Sequence, residues 1–286
     1  MPPQAIQPSD IDSLPRHRLL PRIYRSVLSL TRKHGLFTLA RFHDRFFGGE
    51  QCVDIPSGAR LVIPDDPHYF GFLTGLHETH VAEVIRRVVK PGDVCIDVGA
   101  NIGYFSMMMA KHAGPSGKTF AFEPVPDTFE ALQKNAFLAG MDGLCIEPRH
   151  AGVSDQIGVL VIVRREHSTL NEVRAVDDRL DAGVDRVKSL TLESFVKGEA
   201  LSQPIALLKI DVEGHELAVI RGGVSVLRSG QVRQLILEVT PGEDAVQIDR
   251  ILSECGASTS CWVNGDWRST VIGGLSNRTD ILAKFP

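Results

Sequence analysis

The chain has 286 residues, 43% of them hydrophobic and 23% charged, with a net charge of −4. That length holds one large α/β domain with an added segment, not two full domains. The slightly acidic balance excludes a molecule-wide field suited to nucleic acid.

The first residues, MPPQAIQPSD, are polar and proline-rich and do not resemble a secretory signal. Residues 21–47 have helical periodicity, with Ile23, Val27 and Leu30 on one face, and Gly35 divides them into two expected helices. Eight basic residues stand against three acids up to Phe47. This reads as a helical lid over the main domain, or as a basic surface for peripheral membrane contact. The expected organisation is an N-terminal extension over 1–50 and a single domain over 51–286. Residues 52–63 are predicted as a hairpin turning at Ser57-Gly58, and 79–89 as a helix ending before Pro91-Gly92.

Strands and helices then alternate: strand 94–100, helix 103–112, strand 119–124, helix 127–139. A strand is predicted over 144–153 and an extra one over 158–165. Strand 206–212 precedes a helix from His215, and strand 234–240 precedes a helix from Glu243. Two final strands, within 258–265 and 279–286, have no helix between them and are expected to pair antiparallel at one edge. Such alternation predicts a doubly wound parallel sheet, which binds ligands beyond the carboxyl ends of its strands. The cysteines, Cys52, Cys95, Cys145, Cys255 and Cys261, contain no C-x-x-C pair. Buried free thiols in a reducing compartment are expected. No apolar run approaches the ~20 residues of a membrane helix, so the expected location is cytoplasmic.

Two stretches carry chemistry. In Asp97-Val98-Gly99-Ala100-Asn101-Ile102-Gly103 a strand becomes a helix through a loop whose glycines permit a sharp turn and a close ligand approach. The helix start favours a negative group. Asn101 stands where the dinucleotide fingerprint G-x-G-x-x-G has its second glycine. A pyrophosphate needs that glycine; the single carboxylate of S-adenosylmethionine does not. Glu123 ends the next strand, where a carboxylate accepts both ribose hydroxyls, unless it only caps the following helix.

With these motifs on view, the chain resembles the FkbM-type methyltransferases. The resemblance rests on GDVCIDVGANIGYFS (92–106), FAFEPVPDTFEALQKN (120–135), GVSDQIG (152–158), LTLESF (190–195), LLKIDVEGHELAVIRGG (207–223) and LILEVTP (235–241). It implies a class I, Rossmann-like methyltransferase sheet of seven strands with the last antiparallel. It also implies S-adenosyl-L-methionine as cofactor and, usually, an oxygen acceptor. Carried over, Asp97, Gly99, Asn101 and Gly103 match the cofactor loop, Glu123 the ribose carboxylate, and Val153, Ser154 and Asp155 the segment beside adenine.

The second stretch is Lys209-Ile210-Asp211-Val212-Glu213-Gly214-His215-Glu216. A central parallel strand is apolar on both faces, so charges at its carboxyl end mark the crevice. An acceptor hydroxyl must lose its proton during attack, and Asp211, His215 and Glu213 are the candidate catalytic residues. Asp211, Glu213 and Glu238 could instead hold a hard cation; the base is preferred and no metal is assigned. Lys209 could pair with Asp211 or Glu213. His77 and His80 are read as surface groups. The expected activity is methyl transfer to a hydroxyl of a sugar, glycolipid or secondary metabolite, with a small-molecule or glycan partner and no nucleic acid. A nicotinamide oxidoreductase and a non-catalytic nucleoside-binding protein are the competing readings.

Overall fold

The computed structural model describes residues 6–17, 49–55, 57–66, 69–75, 77–163, 172–174 and 184–286. The two helices expected over 21–47 lie outside the described residues.

In chain order, α1 (Pro8–Asp12) and β1 (Arg16–His17) precede the hairpin β2 (Gln51–Asp54) and β3 (Arg60–Ile63), then α2 (Phe70–Thr74) and α3 (Thr79–Val88). The central run is β4 (Val94–Val98), α4 (Tyr104–Ala113), β5 (Lys118–Phe122), α5 (Pro126–Met141) and β6 (Ile146–Arg149). Next come β7 (Gly152–Ser154), β8 (Gly158–Val163), β9 (Glu172–Arg174), β10 (Val184–Thr191) and α6 (Leu192–Gly198). The chain continues through β11 (Ile205–Ile210), α7 (Glu216–Arg221), α8 (Val224–Arg228), β12 (Gln234–Val239) and α9 (Glu243–Glu254). It ends with β13 (Ser258–Val263), β14 (Asp266–Ser269), a 3-10 turn at Ile272–Gly274 and β15 (Thr279–Lys284).

The main sheet has the order β14-β13-β15-β12-β11-β4-β5-β6. The strands from β12 to β6 are parallel, and β15 lies antiparallel between β12 and β13. Seven of these match the expected doubly wound sheet; β14, pairing only with β13, is an eighth that the sequence reading missed. The chain runs outward from β4 to β6 and returns to β11 beside β4. The switch point is therefore between β4 and β11, and their carboxyl ends diverge into a crevice.

Burial explains the central strands. Every residue of β4 (VCIDV) and β11 (IALLKI) is buried, and apolar clusters cover both faces of the sheet. The hairpin joins one of these clusters through Val53, Ile55, Leu61 and Ile63. Asn135 of α5 fastens it: Val62 N–H donates to Asn135 Oδ1 at 2.6 Å, and Asn135 Nδ2 donates to Val62 O at 2.9 Å and Ile102 O at 2.7 Å. One buried amide thus ties the hairpin to the glycine loop.

The single strand expected over 144–153 is two strands in two sheets. β6 pairs with β5, whereas β7 joins the smaller sheet β7-β10-β8-β9. Ala151 N–H turns back to Arg149 O at 2.9 Å. At Gly152 a Cβ would lie 2.5 Å from Leu160 Cδ1, so the glycine lets β8 close over the turn. The capping box of α6, with Ser194 N–H donating to Thr191 Oγ1 at 3.0 Å, starts a helix within the LTLESF motif. Four of the five cysteines are buried, Cys145 is half-buried, and all are free. Among the described residues no helix is long and apolar enough to cross a membrane.

Candidate active site

A cavity of about 210 Å³ opens at the switch point. Of the sequence-predicted residues, Gly99, Asn101, Glu123, Val153, Asp211, Glu213 and His215 line it; Asp97, Gly103 and Ser154 do not.

The loop after β4 is held by backbone. Gly99 and Ala100 N–H donate to Phe122 O at 3.0 and 2.8 Å. Gly99 has φ +78°, and a Cβ there would stand 1.8 Å from Asp211 O, so the loop can lie against the end of β11 only with glycine. Asn101 takes φ +53°, which Asn tolerates among non-glycine residues. Gly103 caps α4 at φ +89°. Glu123 is buried; its Oε2 accepts Asn101 N–H and its Oε1 accepts Val125 N–H, both at 2.9 Å. Val125 is the N-cap of α5, so Glu123 does steady the next helix, while its remaining lone pairs stay available to a ligand. Burial pushes its carboxyl up to about 7, against the pull of these two N–H groups. Beyond it Val125, Val153, Leu160 and Ile162 form an apolar wall.

The ends of β11 and β12 are built from charge. Lys209 is buried and donates to Asp211 Oδ2 at 2.9 Å, with Asp97 Oδ1 at 3.9 Å. Burial opposes the Lys209 charge, but Asp211 and Asp97 outweigh it and raise its proton affinity. Burial opposes the Asp211 charge as well, yet Lys209 wins and Asp211 is lowered. Asp97 is raised by burial despite Lys209 and the Ser106 hydroxyl, which donates to Asp97 Oδ2 at 2.6 Å. Asp97 Oδ1 is buried and accepts no hydrogen bond among the described residues. Glu213, held at φ +51°, accepts Arg278 Nη2 at 2.8 Å, and the same nitrogen donates to Glu238.

His215 Nε2 lies 2.9 Å from Ser154 Oγ, because α7 begins at Glu216 and places its N-cap beside β7. One expectation is corrected. His77 is not a surface group. It lines the cavity, edge-on to Phe72 at 4.4 Å, and burial lowers it to about 4. His80 lies 2.5 Å from Asp280 and stacks on Trp262.

The sequence reading also missed Glu78. It lines the cavity at φ +38°, a strained backbone for a non-glycine residue. Burial raises its carboxyl to about 8, against Lys209. The available signals were a His-Glu pair just before a helix and a second buried charge in a strand; neither identifies a cavity without the fold.

The residues fit S-adenosylmethionine. Glu123 suits ribose hydroxyls, the apolar wall suits a purine, and the carboxylates of β11 suit a sulfonium. The model for the methyltransferase FkbM domain matches residues 97–258. The chain is 30% identical over 206 residues to hexuronic acid methyltransferase AglP of Haloferax volcanii, covering 70% of this chain and 78% of that one. It is 33% identical over 181 residues to the 31-O-demethyl-FK506 methyltransferase FkbM of Streptomyces tacrolimicus, covering 53% and 66%. Superposition on methyltransferase FkbM from Methylobacillus flagellatus gives a TM-score of 0.42 at 12% identity, over 76% of this chain and 53% of that one. The chain belongs to the FkbM methyltransferase family, and S-adenosylmethionine is its methyl donor.

Proposed function

We propose that the chain methylates a hydroxyl oxygen of a sugar-type or secondary-metabolite acceptor. The observation that carries this reading is the division of one cavity into an apolar-walled half around Glu123 and a carboxylate-rich half around Asp211. The relatives named above support the acceptor class: one is named for a hexuronic acid and one for 31-O-demethyl-FK506.

When bound, S-adenosylmethionine supplies an electrophilic methyl on a positively charged sulfur. Glu123, with the 99–103 loop, would hold the nucleoside and fix its orientation, and alignment of donor and acceptor supplies much of such a rate. Val153 and its apolar neighbours would exclude water from the base. Asp211, kept ionised by Lys209, would place a fixed negative charge at the strand end. Glu78 and neutral His77 would face the acceptor hydroxyl as proton acceptors. A carboxyl that titrates near 8 is better matched to that task at neutral pH than Asp211, whose proton affinity is lowered.

The test is a mass-spectrometric screen. Protein and cofactor are incubated with cell extracts and candidate glycosides, and a gain of one CH2 is sought. Methylation of an alcohol carries the proposal; methylation only at nitrogen or carbon overturns it.

A further inference from the structure

One oxygen each of Asp211, Glu213 and Glu238 lie within 4.8 Å of one another. Three carboxylates so close repel strongly unless a cation intervenes. Here the cations belong to the chain. Lys209 holds Asp211 at 2.9 Å, and Arg278 Nη2 bridges Glu213 and Glu238.

The fold delivers that guanidinium. β12 and β15 pair antiparallel, with Val239 opposite Thr279 and Glu238 opposite Asp280. Arg278 immediately precedes β15, so it stands over the carboxyl end of β12. Glu213, which meets it, has a left-handed backbone, φ +51°, a local cost retained where surrounding contacts require it. Arg278 Nε and Nη1 make no hydrogen bond among the described residues, and its side chain is 46% exposed and lines the cavity. A guanidinium keeps its charge at any working pH and offers donors in a fixed fork.

We propose that Arg278 is the built-in cation of the acceptor side. It occupies the place a divalent ion would take between Glu213 and Glu238, and it presents its free N–H groups to acceptor oxygens. The acceptor is then positioned by a side chain, not by a bound metal. The second half of this statement rests on the acceptor proposed above; the first half does not.

The experiment is titration of Mn²⁺ into the full chain, following free Mn²⁺ by electron paramagnetic resonance. Wild type should show no site tighter than about 1 mM, the weak end of protein cation sites. Arg278→Gln should expose one site per chain, at least about tenfold tighter, and Glu238→Gln added to it should remove that site. Arg278→Lys should behave as wild type. One Mn²⁺ per wild-type chain, lost with Glu238→Gln, overturns the proposal, and this arm stands even where Arg278→Gln fails to fold. A folded Arg278→Gln without a site also overturns it. S-adenosylhomocysteine binding to wild type is measured alongside. Its absence would remove the cofactor reading and leave the Mn²⁺ result intact.

Discussion

The two halves of the cavity are made of different materials. Around Gly99 and Glu123 the geometry is backbone: carbonyls, N–H groups and a carboxylate fixed by two main-chain donors. Around Asp211, Glu213 and Glu238 it is side chain against side chain, with Lys209 and Arg278 as the cross-links. A backbone-built half is rigid and suits a ligand common to a whole family. A side-chain-built half can be altered by single substitutions, which suits an acceptor that varies between relatives.

Gly99→Ala should break the first half outright. Its Cβ would sit 1.8 Å from Asp211 O at φ +78°. Stability should fall by more than about 2 kcal/mol, from left-handed strain plus displacement of β11. Thermal melting within a degree of wild type would show that the contact between the two halves is slack.

Asp211→Asn tests the second half. It leaves Lys209 buried with Asp97 as its remaining carboxylate. Stability should drop by about 1–3 kcal/mol, and turnover, once an acceptor is known, by ~10²-fold or more through the lost fixed charge. S-adenosylhomocysteine affinity, read by calorimetry, should change much less. An equal loss of affinity would place Asp211 among the cofactor contacts.

Glu123→Ala should weaken the cofactor by about 1.5–3 kcal/mol, the worth of a charge-assisted hydrogen bond. The pH dependence sharpens this. Burial raises Glu123 to about 7, while ribose hydroxyls donate best to the ionised form. Binding should therefore release a proton and tighten as pH rises through about 7, and the variant should lose that slope. Stability runs the other way in the free protein. A carboxyl whose folded value is raised contributes stability below its unfolded value of 4.5, lost as pH climbs through about 7. Glu78, raised to about 8, adds to the same loss at slightly higher pH. Glu78→Gln should flatten the melting temperature between about pH 4.5 and pH 8.

His215→Ala should have the smallest effect. With Ser154 as its partner at 2.9 Å, it and Asp211 should contribute independently, so the double variant should show additive losses within about 0.5 kcal/mol. A double variant no worse than Asp211→Asn alone would show that the two act as one unit.

What was legible in advance follows the same division. The loop 97–103, Glu123 and the buried strands β4 and β11 are contiguous patterns, because backbone geometry depends on neighbours in sequence. The break at Ala151 was not legible. HAGV continues the β-like composition of the preceding residues, and only the partner strand, β5 or β10, decides which sheet each piece joins. Glu78 and His77 were invisible for another reason: His77 packs against the rings of Phe72 and Tyr104, and both face the charge of Lys209, some 130 residues away.

By itself, then, the sequence determined the doubly wound sheet, the glycine loop after β4 and the carboxylate that ends β5, since each depends on local periodicity, glycine freedom and strand alternation. The tertiary structure decided which charges meet. It gave His215 to Ser154, Asp211 to Lys209, and both Glu213 and Glu238 to Arg278. Those pairings depend on strand order and register, and Coulomb attraction acts through a few ångströms of space irrespective of separation along the chain.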